Sequence, residues 1–155
     1  MTPLKSNYKI LEKYNLIIEC HEGSLDIDSY KNFKVKVIDN PSYKNSLNYI
    51  INFKNVDFKM TPNEIEDYVN YLKQIPKILG DKKLAFLTRT PNQIVPATIY
   101  KMKQNELNQT VDIFSTYESA LNWLKTDLTS DELIVIFKEL KNDSNENNIV
   151  QCKWD

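Results

Sequence analysis

The chain has 155 residues, 41% apolar and 26% charged, a mixture that suits one globular domain and excludes a disordered segment. With 20 basic residues against 21 acidic ones, the formal net charge is −1, so the chain as a whole has no electrostatic pull toward nucleic acid or an anionic membrane. Cys20 and Cys152 are the two cysteines and form no CxxC pair, which argues against a disulfide framework or a zinc site and fits a reducing compartment.

The first element is a hairpin. Tyr8 to Glu12 and Asn15 to His21 are short β-like runs, and Lys13-Tyr14-Asn15 between them fits a tight turn. Gly23-Ser24 then punctuates the chain. Residues 25–39 read two ways. Phe33, Val35 and Val37 alternate with lysines as in a strand, whereas Ile27, Tyr30, Phe33 and Val37 share one helical face that Asp26 would cap. Asn40-Pro41 ends the element in either case.

Leu47 to Phe53 reads as a buried strand. Thr61-Pro62-Asn63-Glu64 is a helix start with a capping threonine, proline at the first helical position and glutamate three residues after the cap. The spacing predicts a helix carrying Ile65, Tyr68, Val69, Leu72, Ile75 and Leu79 on one face, stopped at Gly80. Leu84 to Leu87 is the next strand. Thr90-Pro91-Asn92-Gln93 repeats the start signal, but Pro96 pushes the expected beginning of the regular helix to Val95, with Ile99 and Met102 following. Val111 to Phe114 is a strand, Ser115-Thr116-Tyr117-Glu118 starts a helix bearing Ala120, Leu121 and Leu124, and Thr129-Ser130-Asp131-Glu132 caps one more before Leu133, Phe137 and Leu140. Residues 142–148 read as a polar, flexible stretch, and Ile149, Val150 and Trp154 as groups able to dock back on the body.

Repeated strand-to-helix alternation implies an α/β fold: a largely parallel sheet with helices packed on it. Two glycines in the whole chain, Gly23 and Gly80, exclude a phosphate-cradling loop and a dinucleotide fingerprint. No Ser-His-Asp arrangement is readable. His21 is the single histidine, and Glu19 shares its face of an extended strand, but two ligands do not make a metal site. Arg89 is the sole arginine. It stands at the carboxyl end of an expected central strand, where open α/β sheets bind ligands, and with the N–H groups near Thr61 and Thr90 it is a candidate anion site. Tyr68, Tyr71 and Tyr100 would cover the sheet or line an apolar pocket. The apolar face of the Leu133–Leu140 helix needs cover, from its own domain or a second subunit.

The order of these elements resembles the STAS domains of anti-sigma-factor antagonists, the SpoIIAA-like fold, in their uncharacterised bacterial branch. The resemblance rests on the Tyr8–His21 hairpin followed by Gly23, and on Asp39-Asn40-Pro41 before Tyr49-Ile50-Ile51-Asn52-Phe53. It also rests on Ala85-Phe86-Leu87-Thr88-Arg89-Thr90-Pro91, and on Val111 to Thr116 leading into Ala120-Leu121-Asn122-Trp123-Leu124. It spans about residues 7–125. It implies a mixed, largely parallel sheet, a helix over 27–38, a STAS-like domain over 1–126 and a helical extension over 127–155. In that family a kinase phosphorylates a Ser or Thr in an Asp-Ser-[Ser/Thr]-Gly string after the third strand. Thr61 is the matching residue, but Met60 replaces the Asp and the Gly is missing, so capping accounts for Thr61 without phosphorylation. The expectation is a cytoplasmic, non-catalytic regulatory or protein-interaction module without cofactor, metal, nucleic acid or membrane span. Its partner would be another protein or a second copy of itself. The alternative is a carrier of a small apolar or anionic, lipid-like ligand at the sheet edge beside Arg89, Thr61 and Thr90.

Overall fold

The computed structural model describes residues 2–145, so the expected docking of Ile149, Val150 and Trp154 lies outside the described residues. The chain opens with the expected hairpin. Strands β1 (Lys5–Leu11) and β2 (Leu16–Leu25) pair antiparallel with Leu11 opposite Leu16. A 3₁₀ turn over Glu12–Tyr14 joins them and closes on Asn15 at φ 58°, a left-handed conformation that asparagine tolerates. Gly23 was expected to punctuate the chain; instead β2 runs on to Leu25. The glycine serves a close approach. At φ +99° a Cβ there would lie 2.3 Å from the Pro3 carbonyl oxygen, where the N-terminal segment crosses and the Ser24 N–H donates to the Thr2 carbonyl at 2.8 Å.

Residues 27–38 are helical. In α1 (Ile27–Ile38) the Asp26 carboxylate accepts from the Ser29 N–H at 2.8 Å, and Tyr30, Phe33 and Val37 turn inward. Val35, which the strand pattern would have buried, is 40% exposed. Strand β3 (Asn48–Phe58) follows, then α2 (Pro62–Lys73) on a complete capping box. This helix ends well short of Gly80. Pro76 drives Ile75 into an extended conformation (φ −110°, ψ 96°), and the chain continues as a 3₁₀ turn over Pro76–Ile78 that leaves Leu79 exposed. Strand β4 (Lys82–Leu87) leads to α3 (Pro91–Lys101). Here too the expected boundary moves, because α3 starts at Pro91 and carries Pro96 inside it. The buried anchors Gln93, Ala97 and Tyr100 offset the backbone bond that Pro96 cannot make. Strand β5 (Gln109–Phe114), α4 (Tyr117–Leu124) and α5 (Ser130–Asn145) complete the chain. The last helix extends through residues 142–145, which the polar composition had suggested were irregular.

The sheet has the order β1-β2-β3-β4-β5, with β1 antiparallel and every later neighbour parallel. Right-handed crossovers that step one way across a sheet place their helices on one face. That is why α1, α2 and α3 share a core with Tyr49, Ile51 and Phe53 of β3 and with Leu84 and Phe86 of β4. The alternate residues Leu16, Ile18, Ile50, Ala85 and Leu87 face the other way and would be bare without α4 and α5. Leu133 and Leu140 are fully buried there, so the face of α5 that needed cover finds it on its own chain. Among the described residues no helix is long and apolar enough to cross a membrane.

Candidate functional site

Thr61, Arg89 and Thr90 all lie where strands give way to helices, and their polar groups are engaged locally. The Thr61 hydroxyl accepts from the Glu64 N–H at 3.2 Å, and the Glu64 carboxylate accepts from the Thr61 N–H at 2.9 Å. The buried Gln93 side chain accepts from the N–H groups of Arg89 (2.6 Å) and Thr90 (3.2 Å). Its amide donates to the carbonyls of Lys54 and Val56, which ties the start of α3 to β3. The Arg89 guanidinium is exposed and donates to the Asn55 side chain at 3.1 Å. Among the described residues no hydrogen bond joins Arg89 to the side chain of either threonine. Burial, and then the Arg89 charge, lower the pKa of the nearby Lys54.

A second cluster lies under α1. Glu19 and His21 alternate onto one face of β2 and bond directly, His21 Nε2 to Glu19 Oε1 at 2.8 Å. A carboxylate only accepts, so Nε2 carries the proton, and in the neutral ring Nδ1 accepts from the Ser6 hydroxyl at 2.7 Å. The Tyr30 hydroxyl donates to Glu19 Oε1 at 2.8 Å, and the Lys34 ammonium donates to Oε2 at 2.9 Å. Burial alone would raise the Glu19 pKa. The Lys34 charge and the bonds from His21 and Lys34 outweigh it and hold the carboxyl at about 2. The imidazole is wedged between Phe33, 4.8 Å away edge-on, and Phe53, 5.6 Å away and stacked.

The chain Ser6–His21–Glu19 is a Ser-His-carboxylate relay that the linear sequence did not reveal. Its signal was the hairpin register, since Leu11 opposite Leu16 sets Ser6 opposite His21. The relay can fix a tautomer and orient a ring. The side chains of His21 and Glu19 are wholly buried and do not line the cavity described next, whereas Ser6 is half-buried. No group of three His, Cys, Asp or Glu side chains gathers to hold a metal among the described residues.

The third feature is a cavity of about 70 Å³ beneath α2, between the sheet and the helices of that face. Ile78, Lys82 and Gln109, all buried, line one end of it. Its mouth is marked by Phe58, Met60 and Pro96, which are partly exposed. Tyr68 and Tyr100 line it as expected, while Tyr71 packs behind Tyr68 with the Lys31 ammonium 4.6 Å from its ring centre. The Tyr100 hydroxyl donates to Gln109 at 2.6 Å. The Tyr68 hydroxyl has no hydrogen-bond partner among the described residues, and burial raises its pKa. The Lys82 ammonium donates to the carbonyls of Ile78 (2.6 Å) and Gly80 (3.0 Å). Burial, and then the charge of Lys34, lower its pKa to about 8.

On the outer side of α3, Pro91, Ile94, Val95, Thr98 and Met102 form one exposed, uncharged arc, bordered by Lys101, whose partly exposed ammonium is paired with Asp112 at 3.0 Å. Ile94 is 41%, Val95 57% and Met102 79% exposed. Sequence reasoning missed this surface because α3 is apolar on most of its circumference, so periodicity could not separate its outside from its inside.

No family model matches the sequence, and neither does any curated protein at a significant score. Among solved structures the chain is similar to an uncharacterised protein of the DUF3478 family with a SpoIIAA-like fold from Shewanella loihica PV-4. The two share 12% identity at a TM-score of 0.52, over 80% of this chain and 95% of that one. It also aligns with an anti-sigma factor antagonist from Mycobacterium paratuberculosis, at 12% identity and a TM-score of 0.49, over 79% of this chain and 95% of that one. The chain has the SpoIIAA-like, STAS-like fold that its element order suggested.

Proposed function

We propose that the chain is a non-catalytic regulatory module of the STAS type that works in the cytoplasm by binding protein, and that its first such contact is a second copy of itself, made through α3. The observation that carries this reading is the uncharged arc of Ile94, Val95 and Met102. Exposed apolar side chains that cluster on one helix face mark interaction surfaces. The lack of charge favours a like partner. In a two-fold dimer the same patch meets itself, so a charged arc would repel its own copy near the axis, whereas this one has nothing to repel. The non-catalytic half of the reading draws support from the full burial of His21 and Glu19.

Sedimentation velocity across a concentration series tests the contact. The expected result is a dimer that the double variant Val95→Asp/Met102→Asp converts to a monomer with unchanged circular dichroism. A wild type that stays monomeric at every concentration, or a dimer indifferent to those substitutions, overturns it. A fluorophosphonate probe tests the chemistry, since labelling of Ser6 that disappears in Ser6→Ala would make the relay an active one.

A further inference from the structure

We propose that the cavity beneath α2 is a binding site for a small linear monocarboxylate, its head held by Lys82 at the buried end and its tail by the aromatic walls. This site is distinct from the sheet edge at Arg89, and its case is independent of self-association through α3.

Charge selects the head group of the guest. Two lysines, Lys34 and Lys82, are among the residues that line the cavity, and both are 6% exposed. The Lys34 charge is answered by Glu19 at 2.9 Å. The Lys82 ammonium is hydrogen-bonded only to the carbonyls of Ile78 and Gly80, and among the described residues no carboxylate lies within 4.0 Å of it; the attraction of Asp81 is outweighed by burial and by the Lys34 charge. A buried cation without a counter-ion is costly, and an incoming anion relieves that cost by forming a charge-assisted hydrogen bond in a dry site. A cationic or neutral guest would leave it in place. One unanswered ammonium suits a single negative charge. The unpartnered hydroxyl of Tyr68 supplies a second donor in the same space.

Shape selects its size and form. One water occupies about 10–15 Å³ of such a space, so about 70 Å³ suits a guest of roughly five to seven non-hydrogen atoms. The lining reaches from Lys82 at the start of β4 to Phe58 at the end of β3, which makes the cavity a crevice that runs along the strands. A straight chain fits such a crevice better than a ring. Polarity is graded along it, with Lys82 at the buried end and Phe58, Met60 and Pro96 at the mouth, so the head enters first and the tail stays against apolar side chains.

Pentanoate is the probe, with pentylamine and 1-pentanol as partners of the same length and different charge. Binding to the purified chain is followed by isothermal titration and by amide chemical shifts of the lining residues. The expected result is that pentanoate binds at millimolar or lower concentration and shifts those residues, that pentylamine does not bind, and that pentanol binds more weakly. Lys82→Met weakens pentanoate by more than about tenfold, the size of one lost charge-assisted bond. In the unaltered chain pentanoate affinity falls as pH rises through about 8, where Lys82 loses its proton. That measurement decides the matter even if Lys82→Met does not fold. Absence of pentanoate binding at millimolar concentration, equal binding of pentylamine, or pentanoate affinity indifferent to pH overturns the proposal.

Discussion

Replacing Glu19 by glutamine tests the buried network from which α1 is hung. The carboxyl sits at about 2 in the folded chain against an ordinary value of 4.5. Each pKa unit corresponds to about 1.36 kcal/mol, so the ionised form contributes about 3 kcal/mol of stability at neutral pH. Because the folded pKa is depressed, that stability is complete above about pH 5. It is lost as pH falls from there through about 2. In Glu19→Gln this pH-dependent part disappears. At pH 7 the variant also leaves the Lys34 ammonium buried without its partner, and removing one member of a buried pair costs about 3–5 kcal/mol. The double variant Glu19→Gln/Lys34→Met removes the orphan charge and should regain at least half of that loss. Urea unfolding of the three proteins near pH 7 and near pH 3 gives the values. The readout is the difference between wild type and Glu19→Gln at each pH, since other carboxylates titrate in both. The single variant should be much less stable near pH 7, and the gap should narrow near pH 3. A gap below about 1 kcal/mol at pH 7, or one that does not change with pH, would refute the assignment of Glu19 as an ionised hub.

Thr61→Ala removes half of the capping box and should cost about 1 kcal/mol by urea unfolding, whereas Thr61→Ser should be near neutral. If alanine is tolerated without loss, capping does not account for this threonine. Burial, and then the Glu22 charge, push the Cys20 thiol up to about 12. In a Cys152→Ser background the native chain should therefore react with a disulfide reagent near pH 8 more slowly than the same chain in urea, and equal rates would contradict the raised pKa of this half-buried thiol.

The layering was legible because several local rules agreed. Thr-Pro-Asn-Glu, Thr-Pro-Asn-Gln and Thr-Ser-Asp-Glu each mark a helix start, and each stands within a residue of a helix in the structure. The errors lie where one rule outweighed another. Pro76 ended α2 at Lys73 although the apolar spacing ran on to Leu79, since a proline constrains the residue before it whatever the periodicity. Pro96 should by the same logic have interrupted α3, and it did not. What differs is tertiary anchorage, because Gln93 makes four bonds at the start of α3 while nothing comparable holds Ile75. Periodicity alone left residues 27–38 undecided. The exposed Val35 shows that every second residue was apolar by coincidence and every third or fourth by necessity.

The polar interior was legible only in part, and the reason is distance along the chain. Glu19 and His21 are two residues apart, so strand alternation alone put them on one face. Lys34, 15 positions from Glu19, reaches it only after α1 has crossed over β2. On its own element Lys34 alternates with apolar residues as a solvated lysine would, and burial of a lysine is rare enough that composition argues against it. Lys82 presents the same difficulty at the edge of β4, where a lysine opening a strand ordinarily points to water. Both are drawn inward by what the opposite elements supply: a carboxylate for Lys34 and two carbonyls at a proline-broken helix end for Lys82. The break at Pro76 that spoiled the reading of α2 is therefore what turns the Ile78 carbonyl toward the sheet and gives the cavity its charged end.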